Sequence, residues 1–332
     1  MKVGCETLFI ISLALGSGSS QIRISLCYPS LAYGIQKTII DFVLTKNLTS
    51  LTTTKDPNIS FDFTLFYTKY KALYGERPLP SKEFLTWLIG FTEGDGSFIV
   101  NKRGDLAFVI TQSTSDIRTL EWIQETLGFG KVISQSVTTS RFVCQTKLQI
   151  ELVISLFNGN LVFPSRQKKL QIFIDGFNIW CAQGRIRLNA ISFVASTILP
   201  DLTNSWLAGF TDAEGCFSVS LLSNSVAFRF RFLIAQKGEI NLPILNHLAI
   251  LFKGGRVEPH FVKDVYEYRL NGLQACSSVF SYFCRFNLIT KKAVGYALWK
   301  EVHTNLQNME HLDPERVLFL REKALLINKY NI

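Results

Sequence analysis

The chain has 332 residues, of which 47% are hydrophobic and 27 are phenylalanines, a composition that excludes a protein disordered throughout its length. Its formal charge of +9 favours a polyanionic partner, because lysine and arginine release counterions when they contact phosphates. The seven cysteines include no C-x-x-C pair and the four histidines lack metal-ligand spacing, which argues against a zinc site and a disulfide framework.

Residues 1–79 are predicted to form an N-terminal extension that is partly unstructured. Serine, threonine and asparagine are frequent before residue 60, and hydrophobic periodicity is weak there. The apolar run at 7–16 is similar to a targeting core but is too short to cross a bilayer. We therefore expect no membrane partner.

A first module is predicted at residues 80–177, and it begins with a helix at 82–93. Apolar residues recur there with helical spacing, Ser81 is a suitable N-cap, and glycines close the run. Near the end of the module, the basic pair Lys168-Lys169 precedes another apolar helical pattern.

Residues 178–201 show no strong periodicity and are predicted to be a linker to a second module at 202–332. That module also begins with a helical pattern, at 202–212, with Thr203 or Asn204 as the cap.

Both modules contain runs with the two-residue period of a half-buried strand. In 227–233 the phenylalanines point to one face and Arg229 and Arg231 to the other, and 141–148 alternates in the same way from Arg141 onward. Such a basic face is either the solvated side of an antiparallel sheet or a surface that reads a DNA groove. Its occurrence in both modules favours DNA.

The two modules are copies of one unit. The segment WLIGFTEGDGSF at 87–98 recurs as WLAGFTDAEGCF at 206–217, and FVITQ at 108–112 parallels FLIAQ at 232–236. A match of this length without a gap is not a coincidence, so the chain contains an internal repeat.

Small residues four apart occur in both motif helices: Gly90 and Gly94 in the first, and Gly209 and Ala213 in the second. This spacing puts them on one helical face, where two helix backbones can approach closely. If the helices pair through these faces, Asp95 and Glu214 meet at their C-terminal ends.

Two carboxylates at helix C-termini repel each other and the helix dipoles unless a cation lies between them. Oxygen ligands favour Mg²⁺, with Mn²⁺ as another suitable divalent cation. The alternative is that Asp95 and Glu214 are surface acids beside helix-ending glycines. An acid at the same place in both copies, with the same spacing of small residues before it, argues against this alternative.

The paired motif resembles the signature of the single-chain LAGLIDADG homing endonucleases encoded in organellar introns, over roughly residues 80–305. The resemblance implies an α/β fold: two α-β-β-α-β-β-α modules related by a pseudo-twofold axis, with antiparallel sheets forming a DNA-binding saddle. It also implies a monomer located in the mitochondrion or, as the alternative, the chloroplast.

The resemblance further implies roles for particular residues. The implied metal ligands are Asp95, Glu214 and the backbone carbonyls of Gly94 and Ala213. The other implied catalytic residues are Gln112, Gln236, Lys291 and Lys169, with Arg166 and Lys168 competing with Lys169. The side chains expected to contact DNA are Lys102, Arg103, Arg141, Gln145, Lys147, Arg229, Arg231, Lys237, Arg256 and Arg269. Glu93 and Asp212, which also recur, are expected to be structural.

The predicted function is therefore Mg²⁺-dependent double-strand cleavage of a long, asymmetric DNA site during intron homing. The alternative is a maturase that binds its own intron RNA and assists splicing on the same scaffold. Retention of both acids favours the nuclease, because RNA binding alone does not require them. A transcriptional regulator is a weaker alternative, since residues 306–332 are too few for an added helix-turn-helix region.

Overall fold

The computed structural model describes residues 60–183, 188–222 and 225–330, so most of the predicted N-terminal extension lies outside the described residues. The described part of that extension contains helix α1 (Thr64–Tyr74). Phe66 and Tyr70 of this helix are fully buried in the hydrophobic core. Residues 64–74 therefore belong to the folded body of the first module.

The first module continues with α2 (Lys82–Asp95), β1 (Gly96–Val100), β2 (Leu106–Ser113), α3 (Ile117–Leu127), β3 (Lys131–Ser134), β4 (Thr139–Cys144), α4 (Lys147–Phe157) and α5 (Pro164–Gln183). Ser81 caps α2 by accepting a hydrogen bond from the backbone N–H of Phe84 at 3.1 Å, as predicted. The strands pair antiparallel in the order β1-β2-β4-β3.

The second module repeats this order. Its elements are α6 (Trp206–Glu214), β5 (Gly215–Leu221), β6 (Phe228–Lys237), α7 (Leu242–Leu251), β7 (Arg256–Pro259), β8 (Val265–Asn271), α8 (Leu273–Cys276), α9 (Phe280–Arg285), α10 (Lys292–Gln307) and α11 (Pro314–Lys329). The strand order β5-β6-β8-β7 matches that of the first sheet.

Helices cover one face of each sheet. In the first module, Phe98 and Phe108 of the sheet contact Phe157 of α4, with ring centroids 5.4 and 5.3 Å apart. In the second module, Phe230 of β6 stacks on Trp299 of α10 at 4.2 Å. The opposite face of each sheet, called the outer face below, carries the alternate side chains of the strands.

The prediction of a strand through residues 141–148 is wrong beyond Cys144. Strand β4 ends there, and Thr146 caps α4 by accepting a hydrogen bond from the backbone N–H of Gln149. The residues after Thr146 have apolar positions at helical spacing, so a capped helix replaces the strand pattern. Helix α5 also continues to Gln183, past the residue at which the linker was expected to begin.

The architecture confirms the predicted α/β fold of two similar modules with antiparallel sheets. In the part of the chain that the structure describes, no helix is both long and apolar enough to span a membrane.

Candidate active site

Helices α2 and α6 pack against each other in the centre of the molecule, and glycines set the distance between them. A Cβ atom on Gly90 would lie 2.0 Å from the carbonyl oxygen of Trp206, and one on Gly209 would lie 1.9 Å from that of Trp87. Both distances are far below van der Waals contact, so only glycine fits at these two positions. The predicted close pairing of the motif helices is confirmed.

The same packing brings the C-terminal ends of the two helices together. A Cβ atom on Gly94 would lie 2.2 Å from the Cβ of Ala213 and 2.9 Å from the Cγ of Glu214. Asp95 is the last residue of α2 and Glu214 the last residue of α6. One acidic residue from each module therefore reaches a single shared location.

Both carboxylates are held by a glutamine of their own module. The Gln112 side-chain amide donates a hydrogen bond to Asp95, and Gln236 provides a hydrogen bond to Glu214. Burial raises the pKa of Asp95 and of Glu214, and the charge of Asp95 raises the pKa of Glu214 further. The two carboxylates thus disfavour each other's ionisation and gain from a cation nearby.

Two basic side chains flank the carboxylates. Arg166 donates through Nη1 to the carbonyl of Gly96 at 3.0 Å and through Nη2 to the carbonyl of Gly94. Lys292 donates through Nζ to the carbonyl of Ala213 at 2.6 Å and to that of Thr211 at 3.3 Å. Burial lowers the pKa of Arg166 and Lys292, whereas the nearby carboxylates raise both values.

In the first module the basic residue at the site is Arg166, one of the three candidates, and in the second module it is Lys292, whereas Lys291 was predicted. The ammonium of Lys291 lies 3.7 Å from Asp116, whereas that of its neighbour Lys292 donates to the carbonyl of Ala213 at the site. In the first module, Arg166 reaches the site from the first turn of α5, whereas Lys169 is an exposed residue one turn further along the helix. Which residue of a basic run faces inward depends on where the helix begins, and the sequence pattern did not fix that point.

The first acid of each motif anchors the start of a later helix. Glu93 accepts hydrogen bonds from the backbone N–H groups of Val162 and Phe163, at 2.8 and 2.7 Å, just before α5. Its other oxygen accepts from the indole N–H of Trp206 in the opposite module at 2.7 Å. Burial raises the pKa of Glu93 to about 7. The residue is structural, as predicted.

Asp212 repeats this arrangement in the second module. It accepts hydrogen bonds from the backbone N–H groups of Ile289 and Thr290, at 3.0 Å each, ahead of α10. The indole N–H of Trp87 in the first module donates to it at 2.9 Å. The tryptophan of each motif thus binds the acid of the other, which joins the two modules by paired buried contacts.

The model of one family, the LAGLIDADG endonucleases, matches residues 88–176 and 207–303, and so covers both modules and both motif acids. The chain belongs to this family.

Curated relatives include intron-encoded proteins of fungi. The chain is 35% identical over 253 residues to a probable intron-encoded endonuclease 4 of Neurospora crassa, covering 74% of this chain and 44% of the relative. It is 26% identical over 242 residues to an uncharacterised cox1 intron-2 protein of Schizosaccharomyces pombe, covering 71% and 70%. The chain therefore spans less than half of the Neurospora protein.

Solved structures of this LAGLIDADG family share the fold. The homing endonuclease I-SmaMI bound to cleaved DNA superposes with a TM-score of 0.61 at 18% identity, covering 77% of this chain and all of that chain (100%). I-SmaMI has also been solved on uncleaved DNA in the presence of calcium ions, with a TM-score of 0.58 at 18% identity, covering 72% of this chain and 97% of that chain.

The oxygen atoms at the site fit a hard divalent cation. Among the described residues, no group of three or more histidine, cysteine or acidic side chains could hold a metal ion. The available ligands are the carboxylates of Asp95 and Glu214, and Mg²⁺ is suited to one or two carboxylates completed by waters and phosphate oxygens. The carbonyls of Gly94 and Ala213, predicted to be further ligands, accept hydrogen bonds from Arg166 and Lys292 in this arrangement.

Most of the predicted DNA-contacting residues lie on or beside the outer faces of the sheets. Lys102 and Arg103 are exposed in the turn between β1 and β2. The strand positions are Arg141 on β4, Arg229, Arg231 and Lys237 on β6, Arg256 on β7 and Arg269 on β8. Arg269 forms ion pairs with Glu258 and Glu267, so part of its charge is already compensated.

Two predicted DNA contacts are placed differently. Gln145 is exposed in the connection after β4, and Lys147 is the first residue of α4. The Lys147 ammonium donates to the backbone carbonyl of Trp180 at 2.6 Å and lies 5.0 Å from the centre of that indole ring. Lys147 therefore fastens α4 to α5 rather than extending the outer face of the sheet.

Proposed function

We propose that this protein is a site-specific endonuclease that cuts both strands of a long, asymmetric DNA site as a monomer. The observation that carries the proposal is the meeting of Asp95 and Glu214, one from each module, at the ends of two tightly packed helices. Two equivalent acids beside two cationic side chains suit a reaction carried out once on each strand.

Asp95 and Glu214 would hold Mg²⁺, or Mn²⁺ in its place. A divalent cation bound there lowers the pKa of a coordinated water and stabilises charge on the leaving oxygen of a phosphodiester. Gln112 and Gln236 keep the two carboxylates oriented by hydrogen bonds. Arg166 and Lys292 place positive charge beside the site, where it stabilises the developing charge on a phosphate.

The outer faces of the two sheets provide the DNA surface in this proposal. Arg229, Arg231 and Lys237 lie at alternate positions of one strand, the spacing that directs side chains to a single face. Arginine pairs with guanine and lysine neutralises phosphates, so this strand can serve both specificity and affinity.

The proposed biological role is homing of an intron in the mitochondrion. It is supported by the intron-encoded relatives in fungi and by the high content of Phe, Ile, Leu and Asn, which resembles that of proteins encoded in AT-rich organellar genomes.

The experiment has two stages. Cleavable sites are first selected from a randomised DNA pool, and a supercoiled plasmid carrying the selected site is then digested with Mg²⁺ or with EDTA. We expect linear product only with Mg²⁺, with little product from Asp95→Asn or Glu214→Gln even though both variants still bind the site. Glu121→Gln, which neutralises an exposed acid on α3, is the matched control and should cut normally.

Full cleavage by Asp95→Asn would refute the assignment of the site. A protein that selects no DNA but binds its host intron RNA tightly would favour the maturase alternative.

A further inference from the structure

A short 3-10 turn follows the glutamine-bearing strand of each module, at Thr114–Asp116 after β2 and at Glu239–Asn241 after β6. Each turn ends in a buried polar residue: Asp116 is 8% exposed and Asn241 is fully buried. Neither residue belongs to the repeated motif, and the sequence did not single them out. Both are close to the active site, because Asp116 contacts the residue before Lys292 and Asn241 contacts the residue before Arg166.

Each of these residues binds the opposite module. Asp116 of the first module accepts a hydrogen bond from the backbone N–H of Lys291 at 2.9 Å, at the N-cap of α10. Asn241 of the second module accepts from the backbone N–H of Ser165 at 3.3 Å and donates to its hydroxyl at 2.9 Å, in the first turn of α5. The two contacts are reciprocal, and each lies next to a basic residue of the active site.

The first turn of each helix that carries a basic active-site residue, α5 or α10, is therefore held by contacts from both modules. For α10, Asp212 of the same module holds the N–H groups of Ile289 and Thr290, and Asp116 of the other module holds that of Lys291. Lys292 follows directly, with its ammonium on the carbonyl of Ala213. The position of this ammonium thus depends on a residue that the other module supplies.

We propose that Asp116 and Asn241 are reciprocal positioning residues, through which each module places the basic active-site residue of the other, Lys292 and Arg166 respectively. The proposal rests on the proposed endonuclease function. Each cut then needs both modules, because neither module holds its own basic side chain, Arg166 or Lys292, in place without a residue of the other module.

The two contacts are not identical, and the difference supplies a matched set of variants. Asp116 is a carboxylate whose second oxygen also faces the Lys291 ammonium, whereas Asn241 is neutral. Asp116→Asn keeps an oxygen that can accept from the Lys291 N–H, and it introduces the residue type found at Asn241 in the second module. Asp116→Ala removes the acceptor. Lys291→Ala removes the ammonium but leaves the backbone N–H in place.

The experiment measures single-turnover cleavage of each labelled strand, together with DNA affinity, for the full-length protein and these variants. Displacement of the basic side chain should slow cleavage by about tenfold, which corresponds to about 1.4 kcal/mol and lies within the typical effect of losing a helix cap. We expect Asp116→Ala to slow one strand about tenfold and Asn241→Ala to slow the other strand, each with DNA affinity within about twofold of wild type.

The cleavage rates of Asp116→Asn and Lys291→Ala should each be within about threefold of the wild-type rate. If the Lys291 ammonium itself took part in cleavage, Lys291→Ala would be much slower. Hydrogen exchange of the free protein gives a second readout that needs no activity. Exchange should increase at the start of α10 in Asp116→Ala and at the start of α5 in Asn241→Ala.

Equal slowing of both strands by either alanine variant would overturn the proposal, as would failure of Asp116→Asn to restore the rate. If the wild-type protein cuts no DNA, the proposed function fails. The positioning claim is then judged by hydrogen exchange alone, and it fails if protection of α10 and α5 is unchanged. If Asp116→Ala does not fold, Asn241→Ala tests the same claim on the other half.

Discussion

The two modules of this protein have the same strand order and the same active-site geometry, but their strands β2 and β6 differ in charge on the outer face. Strand β2 has the sequence LAFVITQS, without a charged residue, whereas its counterpart β6 carries Arg229, Arg231 and Lys237. Val109 of β2 pairs with Val143 of β4 in the first sheet. The equivalent pair in the second sheet is Leu233 of β6 and Arg269 of β8.

This difference indicates which residues are constrained to be alike in the two modules and which are not. Residues of the helix interface recur because each must fit its copy: Gly90 meets the backbone of Trp206 as Gly209 meets that of Trp87. In the proposed function, the outer faces would meet different halves of the target and would be free to diverge. Apolar side chains favour thymine methyl groups and arginines favour guanine, so we expect the first sheet to face an A·T-rich half-site and the second a G·C-richer one.

The largest expected effect comes from the basic residues of the active site. Arg166→Ala and Lys292→Ala should each slow cleavage of one strand by about 100- to 1,000-fold, since loss of one group that stabilises transition-state charge typically has that effect. The two variants should affect opposite strands, and nicked plasmid should accumulate. Strand-resolved single-turnover assays measure this, with Lys291→Ala and the exposed Lys168→Ala as neighbouring controls. Equal slowing of both strands would contradict separate half-sites.

The helix interface should be the position most sensitive to added volume. Gly209→Ala places a methyl group 1.9 Å from the Trp87 carbonyl, and we expect the free energy of unfolding to fall by about 3 kcal/mol or more. Gly254→Ala is the matched control, because its methyl group would meet the nearest atom at 3.5 Å. Chemical denaturation compares the two variants. Similar stability of both would show that the helices can separate at little energetic cost.

The difference between the outer faces predicts unequal losses of specificity. Arg231→Ala should relax base preference by about 1–3 kcal/mol at one position of one half-site, as expected for loss of an arginine–guanine contact. Ile133→Ala, at an exposed apolar position of β3 in the first sheet, should have a smaller effect, confined to the other half-site. Repeating the site selection with each variant measures both. A uniform loss of affinity without any change of base preference would show that Arg231 contacts only phosphate.

The smallest expected effect distinguishes free from ion-paired arginines. Arg229 is exposed and forms no ion pair with any of the described residues, whereas Arg269 is bound to Glu258 and Glu267. Arg229→Ala should reduce the slope of log affinity against log salt by about one unit. The Arg269→Ala slope should change less, because its charge is already compensated. A larger change for Arg269 would mean that its ion pairs open on binding DNA.

The sequence predicted those features that repeat at regular spacing. The duplicated motif gave the two modules, and the small residues four apart gave the helix pair that joins Asp95 to Glu214. Features that depend on where an element begins were less accessible. Lys291 and Lys292 are adjacent; Asp116 binds the backbone N–H of Lys291, and the ammonium of Lys292 reaches the carbonyl of Ala213.

Contacts between distant segments could not be read from the sequence either. Asp116 lies 175 residues from Lys291, and no periodicity connects the two positions. The prediction of a strand through residues 141–148 was wrong beyond Cys144, because the alternating pattern and the helical pattern that follows it overlap by several residues. The cap at Thr146 resolved that overlap in favour of the helix.

The most direct test of the central claim, that one acid from each module forms a single metal-dependent centre, is a crystal structure of the complex with the selected DNA and Ca²⁺. We predict Ca²⁺ within about 2.3–2.6 Å of carboxylate oxygens of both Asp95 and Glu214, and also in contact with phosphate oxygens of the two scissile positions. Ca²⁺ bound away from either carboxylate, or DNA bound on a surface other than the outer faces of the sheets, would contradict the account.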